Sequence, residues 1–216
     1  MPLNHINLIG VSLAVVLVAS GCSSTGLKQE NTDLKLRVQQ EEQTRQDYAD
    51  KMRAALEATE QERLRSNAEM SAMRRDLDAV LQEKNVIVKK IEDLTVIEME
   101  YSVLFKSGQA ELSKEGVTVV KKIATAFKKY PGYHMRVEGH TDNMPINSKL
   151  KQRYYSNWEL SAARAATVVR YMIFAQSVPG KNLSIAGYAD HRPIASNDSN
   201  DGRAKNRRIR VVIFKK

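Results

Sequence analysis

Residues 137–143, VEGHTDN, place a histidine, a threonine and an aspartate side by side at the expected end of a strand. The side chains of His140, Thr141 and Asp142 are of types that occur in catalytic clusters, in metal sites and in polar ligand-binding sites. Metal binding lacks support because a zinc site needs several ligands, and the nearest other histidine, His134, lies six residues earlier. We therefore expect no metal and no cofactor here, and we interpret His140 as a hydrogen-bonded loop histidine, since many roles of a lone histidine are not catalytic.

The same residues do not complete a hydrolytic site. A glycan hydrolase needs a pair of carboxyl groups across a cleft, and Glu138, the nearest partner for Asp142, lies in the middle of the expected strand. The chain has no Gly-x-Ser-x-Gly elbow, phosphate-binding loop or HExxH motif. Its single cysteine, Cys22, excludes an internal disulfide and a zinc framework built on several cysteines. The sequence predicts a protein that is not an enzyme, with a hydrolase as a weaker alternative.

The elements that position this cluster follow from hydrophobic periodicity and helix caps. Ser113 caps one predicted helix, and Ser156 with Glu159 has the S-x-x-E spacing of a capping box that starts a second helix. Alternating apolar residues predict strands at 95–105 and in the segments YHMRVEGH, LSIAGYA and RRIRVVIF. The order β-α-β-α-β-β predicts an α+β domain over residues 96–216, with one mixed sheet and helices packed on it.

Upstream of this domain, residues 27–95 contain no proline or glycine and are rich in strong helix formers, which predicts one long helix that acts as a spacer. Apolar residues in its second half recur at alternating spacings of three and four, interrupted by one lysine: Met70, Met73, Leu77, Val80, Lys84, Ile87, Ile91 and Leu94. This pattern is typical of a coiled-coil seam and predicts a homo-oligomer. The alternative is that the stripe packs on the C-terminal domain.

The N-terminus indicates export and lipidation. The apolar run before Cys22 is shorter than the roughly 20 residues that span a membrane, and it fits the core of a signal peptide. The sequence VASGC resembles the lipobox of bacterial lipoproteins, in which a signal peptidase cleaves before a diacylated cysteine. The resemblance implies a signal peptide at 1–21, lipidation of Cys22 and a short linker through 22–26. By resemblance to the sorting rule of enteric lipoproteins, Ser23 after the cysteine implies the outer membrane. The alternative is a buried cysteine after an uncleaved anchor.

Charge is distributed unevenly along the chain. Residues 23–98 carry 13 Lys and Arg against 16 Asp and Glu, whereas residues 99–216 carry 21 against 9, a net charge of +12. A surface of this kind favours acidic partners, and nucleic acid and anionic cell-wall polymer are both candidates. Aromatic and basic residues interleave as they do in nucleic-acid-binding modules, at Lys149, Lys151, Arg153, Tyr154, Tyr155 and Trp158. The export signal argues against nucleic acid.

Five motifs in the second half of the chain resemble the OmpA-like C-terminal domain, in the order VLFKSGQAEL, VEGHTDN, SNWELSAARA, GYAD and GRAKNRRIRVVI. The resemblance covers roughly residues 95–216 and implies a βαβαββ sandwich that binds peptidoglycan without covalent chemistry, as in peptidoglycan-associated lipoproteins and the wall-binding part of the stator protein MotB. It implies that Asp142 of HTD and Arg164 of LSAARA hold the diaminopimelate side chain of the stem peptide. Weaker implied site residues are Thr141, Leu160, Asn206 and Arg207.

The residue types agree with that chemistry. The distal end of meso-diaminopimelate carries an ammonium and a carboxylate on one carbon. An arginine grips a carboxylate with its planar fork, and an aspartate accepts hydrogen bonds from an ammonium. The segment between the two anchors, residues 143–157, is longer than the corresponding loop of the lipoprotein Pal and closer to MotB-like members.

Signal, helix and domain together predict a lipid-anchored outer-membrane protein that faces the periplasm and tethers the membrane to peptidoglycan. The expected partners are peptidoglycan, the outer membrane and a second copy through the helix, and nucleic acid is not expected. The alternative function is an accessory envelope protein of a flagellar, stator-like or secretion assembly that uses the same module. An ion-conducting stator is disfavoured because it needs an acidic residue in its membrane helix, and the first acidic residue is Glu30.

Overall fold

A computed structural model of the protein describes residues 24–82, 85–106 and 108–215. The expected signal peptide, the lipidation site Cys22 and the predicted seam residue Lys84 lie outside these ranges. Within them, no helix combines the length and the apolar character needed to cross a membrane. The chain divides after Ala58 into two compact units.

The described chain folds into six α-helices, a short 3₁₀ helix and five strands. In chain order these are α1 (Ser24–Val80), β1 (Val86–Ile91), β2 (Leu94–Glu100), α2 (Tyr101–Leu104), α3 (Lys114–Phe127), β3 (Tyr133–Gly139), α4 (Ser148–Lys151), α5 (Asn157–Gln176), the 3₁₀ helix (Gly180–Asn182), β4 (Leu183–Gly187), α6 (Asn200–Asn206) and β5 (Arg208–Lys215).

The strands form one mixed sheet in the order β1-β2-β5-β3-β4. Pairing is antiparallel except between β3 and β4, which run parallel. The predicted alternation places Ile209, Val211 and Ile213 of β5 in the core, together with Met135 and Val137 of β3. The predicted α+β class, with helices packed on one mixed sheet and a long N-terminal helix, is confirmed.

Both long helices of the sheet domain start at the predicted caps. The Ser113 hydroxyl accepts a hydrogen bond from the Gly116 N–H at 2.8 Å at the start of α3. At the start of α5, Ser156 accepts from the Trp158 N–H at 3.1 Å, and Glu159 accepts from the Ser156 N–H at 2.8 Å. These bonds satisfy backbone donors that have no partner inside a helix, which is why S-x-x-E marks a helix start.

The predicted coiled-coil seam differs from the structure. Met70, Met73 and Leu77 of α1 are buried in the same core as the sheet, whereas Val80 is exposed. The helix ends at Val80, and the remaining described seam positions lie on strands or at their ends: Ile87, Ile91 and Leu94. The stripe therefore packs on its own domain, the alternative weighed above, and its buried residues are not free to pair with a second copy.

Two local features explain why the residues predicted to end the long helix form a β-hairpin instead. The segments VIVKKI and LTVIEME are rich in β-branched residues, which fit a pleated sheet better than a helix. Asn85 and Glu92 have positive φ angles of 66° and 52°, so the chain turns before β1 and again between β1 and β2. The compact unit of the sheet begins at Thr59, well before the expected domain start at residue 96.

The first predicted strand is also shorter than expected. It ends at Glu100, and the next four residues form α2. The Tyr101 N–H donates to the Arg207 carbonyl at 2.8 Å, which joins the start of α2 to the residue that precedes β5. This turn brings the Tyr101 ring to the end of the sheet where the predicted site residues lie.

The described part of the first unit is the stretch of α1 up to Ala58. From Gly26 to Ala58 every side chain is exposed, including Leu34, Tyr48 and Met52. This part of the helix is solvated, as the polar residues in its sequence predict.

Candidate functional site

The end of β3 is pressed against the first turns of α5. A Cβ atom on Gly139 would overlap the carbonyl oxygen of Ser161, and only glycine allows so close an approach of strand and helix. Asp142 follows Gly139 by three residues, and Arg164 follows Ser161 by three residues. The contact between the two backbones therefore places Asp142 and Arg164 at the same end of the sheet.

A cavity of about 500 Å³ lies at this end, and Asp142 and Arg164 both line it. Three of the four weaker predicted residues also line it: Thr141, Leu160 and Arg207. Its other walls come from α2 and from the loop before α4, through residues that include Tyr101, Phe105, Ile146 and Asn147. The volume lies within the range of small-molecule sites in proteins.

The Asp142 carboxylate is largely buried but does not use all its acceptor sites. One oxygen accepts from the Arg207 guanidinium, with 2.6 Å between Oδ2 and Nη1, and the other accepts from the Met144 N–H at 3.2 Å. A carboxylate has about four lone-pair sites, so it can accept further donors from a ligand. The Arg207 side chain is 37% exposed and can yield to a ligand cation more easily than a buried partner could.

The Arg164 guanidinium is buried over an aromatic surface. Its central carbon lies 4.1 Å from the centroid of the Tyr101 ring, and the Tyr101 and Phe105 rings stack on each other. Burial lowers the pKa of Arg164, because it disfavours the cation, and the neighbouring Tyr101 and Asp142 oppose this shift only in part. A guanidinium remains protonated in proteins despite such a shift, so the cavity holds a fixed positive charge.

Two buried polar atoms at the cavity lack a hydrogen-bond partner among the described residues. They are Nε of Arg164 and Oγ1 of Thr141, both on residues that are less than a tenth exposed. Buried polar groups in native proteins are almost always paired, so an orphaned pair in one cavity indicates that something else completes them.

Leu160 and Asn206 have different surroundings. Leu160 packs with Ile146 and Leu150 in a small apolar cluster and forms a wall of the cavity. Asn206 is buried away from the cavity, where its side chain accepts from the Ile194 and Ala195 N–H groups at 2.8 and 3.0 Å. Asn206 is therefore a positioning residue for that loop, and the structure does not bring it to the ligand cavity.

His140 lies beneath the site in a buried charged cluster. Its ring stacks on Tyr188, and its nitrogens have no hydrogen-bond partner among the described residues, unlike the expected hydrogen-bonded loop histidine. Nε2 stands 3.9 Å from a Glu138 oxygen, too far for a hydrogen bond. Burial lowers the pKa of His140 and keeps the ring neutral at pH 7. In the part of the chain that the structure describes, no group of three or more His, Cys, Asp or Glu residues is placed to hold a metal.

Comparisons with known proteins identify the family of this domain. Residues 104–207 match the OmpA family. The chain carries an OmpA family domain. The resemblance seen in the motifs is confirmed, and the matched residues include Asp142, Thr141 and Arg164.

The relatives of this OmpA domain carry different descriptions. The uncharacterized protein YtxE of Bacillus subtilis is 39% identical over 127 residues, covering 59% of this chain and 51% of that protein. Motility protein B of Bacillus subtilis is 35% identical over 132 residues, covering 61% of this chain and 49% of that protein. The structure of the cell wall anchor of the type VI secretion system of Pseudomonas aeruginosa has a TM-score of 0.59 and 33% identity, covering 67% of this chain and 97% of that one. The chain spans about half the length of these two curated relatives.

Sequence reasoning missed two residues that shape the site of the OmpA domain. The Arg164 guanidinium lies over the Tyr101 ring, and the Tyr101 hydroxyl accepts a hydrogen bond from the Gln109 N–H at 2.9 Å. The Asn157 amide donates to the Met144 carbonyl at 3.0 Å and fixes the loop after Asp142. The position of Asn157 at the start of a predicted helix could have indicated that its side chain binds the preceding loop. Nothing in the segment around Tyr101, which the sequence predicts as a strand, indicates the role of Tyr101.

Proposed function

We propose that this protein binds peptidoglycan without covalent chemistry and that Asp142 and Arg164 hold the distal end of diaminopimelate. The observation that carries the proposal is the orphaned Arg164 Nε and Thr141 Oγ1 in the cavity that also contains the Asp142 carboxylate. The similarity to the cell wall anchor of the type VI secretion system supports the same function.

The charges of the cavity match those of the ligand end group. The ligand carboxylate would take the guanidinium fork of Arg164 and the Thr141 hydroxyl, and the ligand ammonium would donate to Asp142. Charge-assisted hydrogen bonds contribute about 1.5–3 kcal/mol each, so both anchors are needed for useful affinity. In the free protein Arg207 orients the Asp142 carboxylate through the 2.6 Å contact.

The cavity favours binding over hydrolysis. Among the described residues that line it, Asp142 is the only one with a carboxyl group. Glycoside hydrolysis uses a pair of carboxyl groups on opposite sides of the bond. We therefore propose a structural role with no catalytic residue.

The finer part of the proposal concerns location. We propose that Cys22 is lipidated and that α1 links an outer-membrane anchor to the wall-binding domain, so that the protein tethers the outer membrane to the wall. The second candidate is an accessory role in a motility or secretion assembly, and the similarity to motility protein B and to the secretion-system wall anchor favours it. We propose that any homo-oligomer forms through the exposed residues of α1, because the buried residues of its apolar stripe contact their own domain.

Sedimentation of the full chain with purified peptidoglycan tests the function. The wild type should pellet with the wall, and Asp142→Ala and Arg164→Ala should each reduce the bound fraction at least about tenfold at limiting wall concentration. Matched controls are Asp33→Ala and Arg37→Ala, which remove the same charges from exposed positions on the first unit.

Each other outcome has a defined meaning. Equal pelleting of the wild type and both site variants would refute the site, and no pelleting of the wild type would refute the function. Release of soluble wall fragments would indicate a hydrolase. Strong oligonucleotide binding that falls with salt would favour the nucleic-acid alternative.

Membrane fractionation separates the two locations. Wild-type protein should incorporate labelled fatty acid and sediment with the outer membrane, and Cys22→Ser should lose both properties. Wild-type protein in the inner-membrane fraction without label would contradict the lipoprotein proposal and favour the accessory role.

A further inference from the structure

A second groove adjoins the candidate site. It has a volume of about 970 Å³ and shares Gly108 and Leu150 as walls with the Asp142 cavity. Its charged lining residues are three bases, Lys106, Arg153 and Arg170, and one acid, Glu111. The groove is therefore a positively charged extension of the cavity that we propose binds a zwitterion.

The fold fixes the backbone positions of the arginines that line this groove. The Arg153 N–H donates to the Leu150 carbonyl at 2.9 Å, directly after α4, and Leu150 is buried against Leu160. Arg170 projects from α5, the helix that also carries Arg164. The long segment 143–157 thus builds one wall of the groove, and α5 builds the other.

Two of the three cations of the groove have no ion-pair partner in the described ranges. Lys106 faces Glu111, with 3.5 Å between Nζ and Oε2. Arg153 and Arg170 form no ion pair with any residue in the described ranges, and both side chains are exposed. Two guanidinium groups that face one groove without an acid partner form a receptor for a carboxylate.

Small residues keep the groove open. Ala163, Ala166 and Thr167 line it from α5, three to seven positions before Arg170 and therefore on one face of the helix. Larger side chains at these positions would fill the space between α5 and the segment after α4.

We propose that this groove binds a second carboxylate of the same stem peptide whose diaminopimelate end occupies the Asp142 and Arg164 cavity. The inference rests on the proposed function. A stem peptide held by its diaminopimelate side chain has its backbone outside the cavity, and the shared wall at Gly108 and Leu150 leads that backbone into the groove. The stem peptide supplies two candidate groups, the α-carboxylate of the γ-linked D-glutamate before diaminopimelate and the terminal carboxylate of the D-alanine after it.

Calorimetry with the full chain and four synthetic ligands tests the proposal. The ligands are free meso-diaminopimelate, the tetrapeptide L-Ala-γ-D-Glu-meso-diaminopimelate-D-Ala, and two versions of it amidated at either the D-glutamate or the D-alanine carboxylate. The wild type should bind the acidic tetrapeptide about tenfold more tightly than one of the amides, which identifies the carboxylate. Arg153→Gln combined with Arg170→Gln should remove that preference and leave the affinity for free diaminopimelate unchanged.

The control variant combines Lys121→Gln with Lys181→Gln, which removes two charges from exposed positions that line neither cavity. It should bind all ligands as the wild type does. The inference is overturned if the wild type binds the acid and both amides equally, or if the arginine and lysine variants weaken binding alike. This inference alone is refuted if Asp142→Asn abolishes diaminopimelate binding and the double arginine variant binds every ligand as the wild type does. The proposed function is refuted as well if the wild type binds none of the ligands.

Discussion

Asp142 and Arg164 line one cavity but form no ion pair with each other. Asp142 pairs with Arg207, and Arg164 lies over the Tyr101 ring with its Nε unpartnered. A buried cation without a carboxylate partner costs stability, and proteins retain such groups where a ligand completes them. This arrangement supports the proposed ligand, which carries both charges on one carbon.

Replacing Arg164 separates binding from stability. Arg164→Met should abolish diaminopimelate binding. It should either raise the free energy of unfolding or lower it by less than about 1 kcal/mol, because an apolar side chain of similar length removes the desolvation cost of a buried cation. Calorimetry and urea unfolding provide the two measurements. Arg164→Lys, which keeps the charge but loses the planar fork, serves as the comparison and should bind at least about tenfold more weakly than the wild type. A loss of several kcal/mol in Arg164→Met would show that the arginine serves the fold.

At the scale of elements, α1 has two surroundings along its length. Met73 and Leu77 are fully buried beneath the sheet, whereas Met52 in the first unit is 49% exposed. An apolar stripe with alternating spacings of three and four marks a buried helix face, and it does not reveal whether the partner is another chain or the same domain. The β-branched residues after Val80 end the helix because they gain more by pairing as β1 and β2.

Matched methionine substitutions test this assignment. Met73→Ala should lower the free energy of unfolding of the sheet domain by about 2–5 kcal/mol, because it leaves a cavity in the core. Met52→Ala should change it by less than about 0.5 kcal/mol, as expected for an exposed position. Urea denaturation followed by Trp158 fluorescence provides the measurement. The result would contradict the structure if both changes were equally mild, or if the effect of Met73→Ala depended on protein concentration as a coiled-coil oligomer requires.

At the scale of the whole molecule, a buried charge cluster links β3 to β5 beneath the site. Glu138 is fully buried and accepts from Nε of Arg136 at 2.7 Å and from Nη1 of Arg210 at 3.0 Å. Burial alone would raise the pKa of Glu138, but the hydrogen bonds from Arg136 and Arg210 favour the charged form more strongly and lower the pKa to about 2.

This shift predicts acid sensitivity. Because the pKa of Glu138 is lower in the folded chain than in the unfolded chain, its contribution is complete above the ordinary pKa of 4.5 and is lost as the pH falls towards about 2. Across that window the free energy of unfolding should fall by up to about 3 kcal/mol through this residue. Glu138→Gln should be less stable at pH 7 and should lose that part of the acid dependence, whereas Glu57→Gln, an exposed control on α1, should keep it. Carboxyl NMR showing Glu138 titrating near its ordinary pKa would contradict the prediction.

The sequence by itself determined the features that depend on neighbouring residues: the capping box at Ser156, the cap at Ser113, the alternating strands β3 and β5, and the polar cluster that ends at Asp142. Its ordered motifs also pointed to Arg164, which lines the same cavity as Asp142. Only the tertiary structure decided that Met70, Met73 and Leu77 face their own sheet, that Tyr101 lies beneath Arg164 and that Asn206 stands away from the cavity. The physical reason is that caps and periodicity are local, whereas burial and the pairing of orphaned groups depend on contacts between residues far apart in the chain.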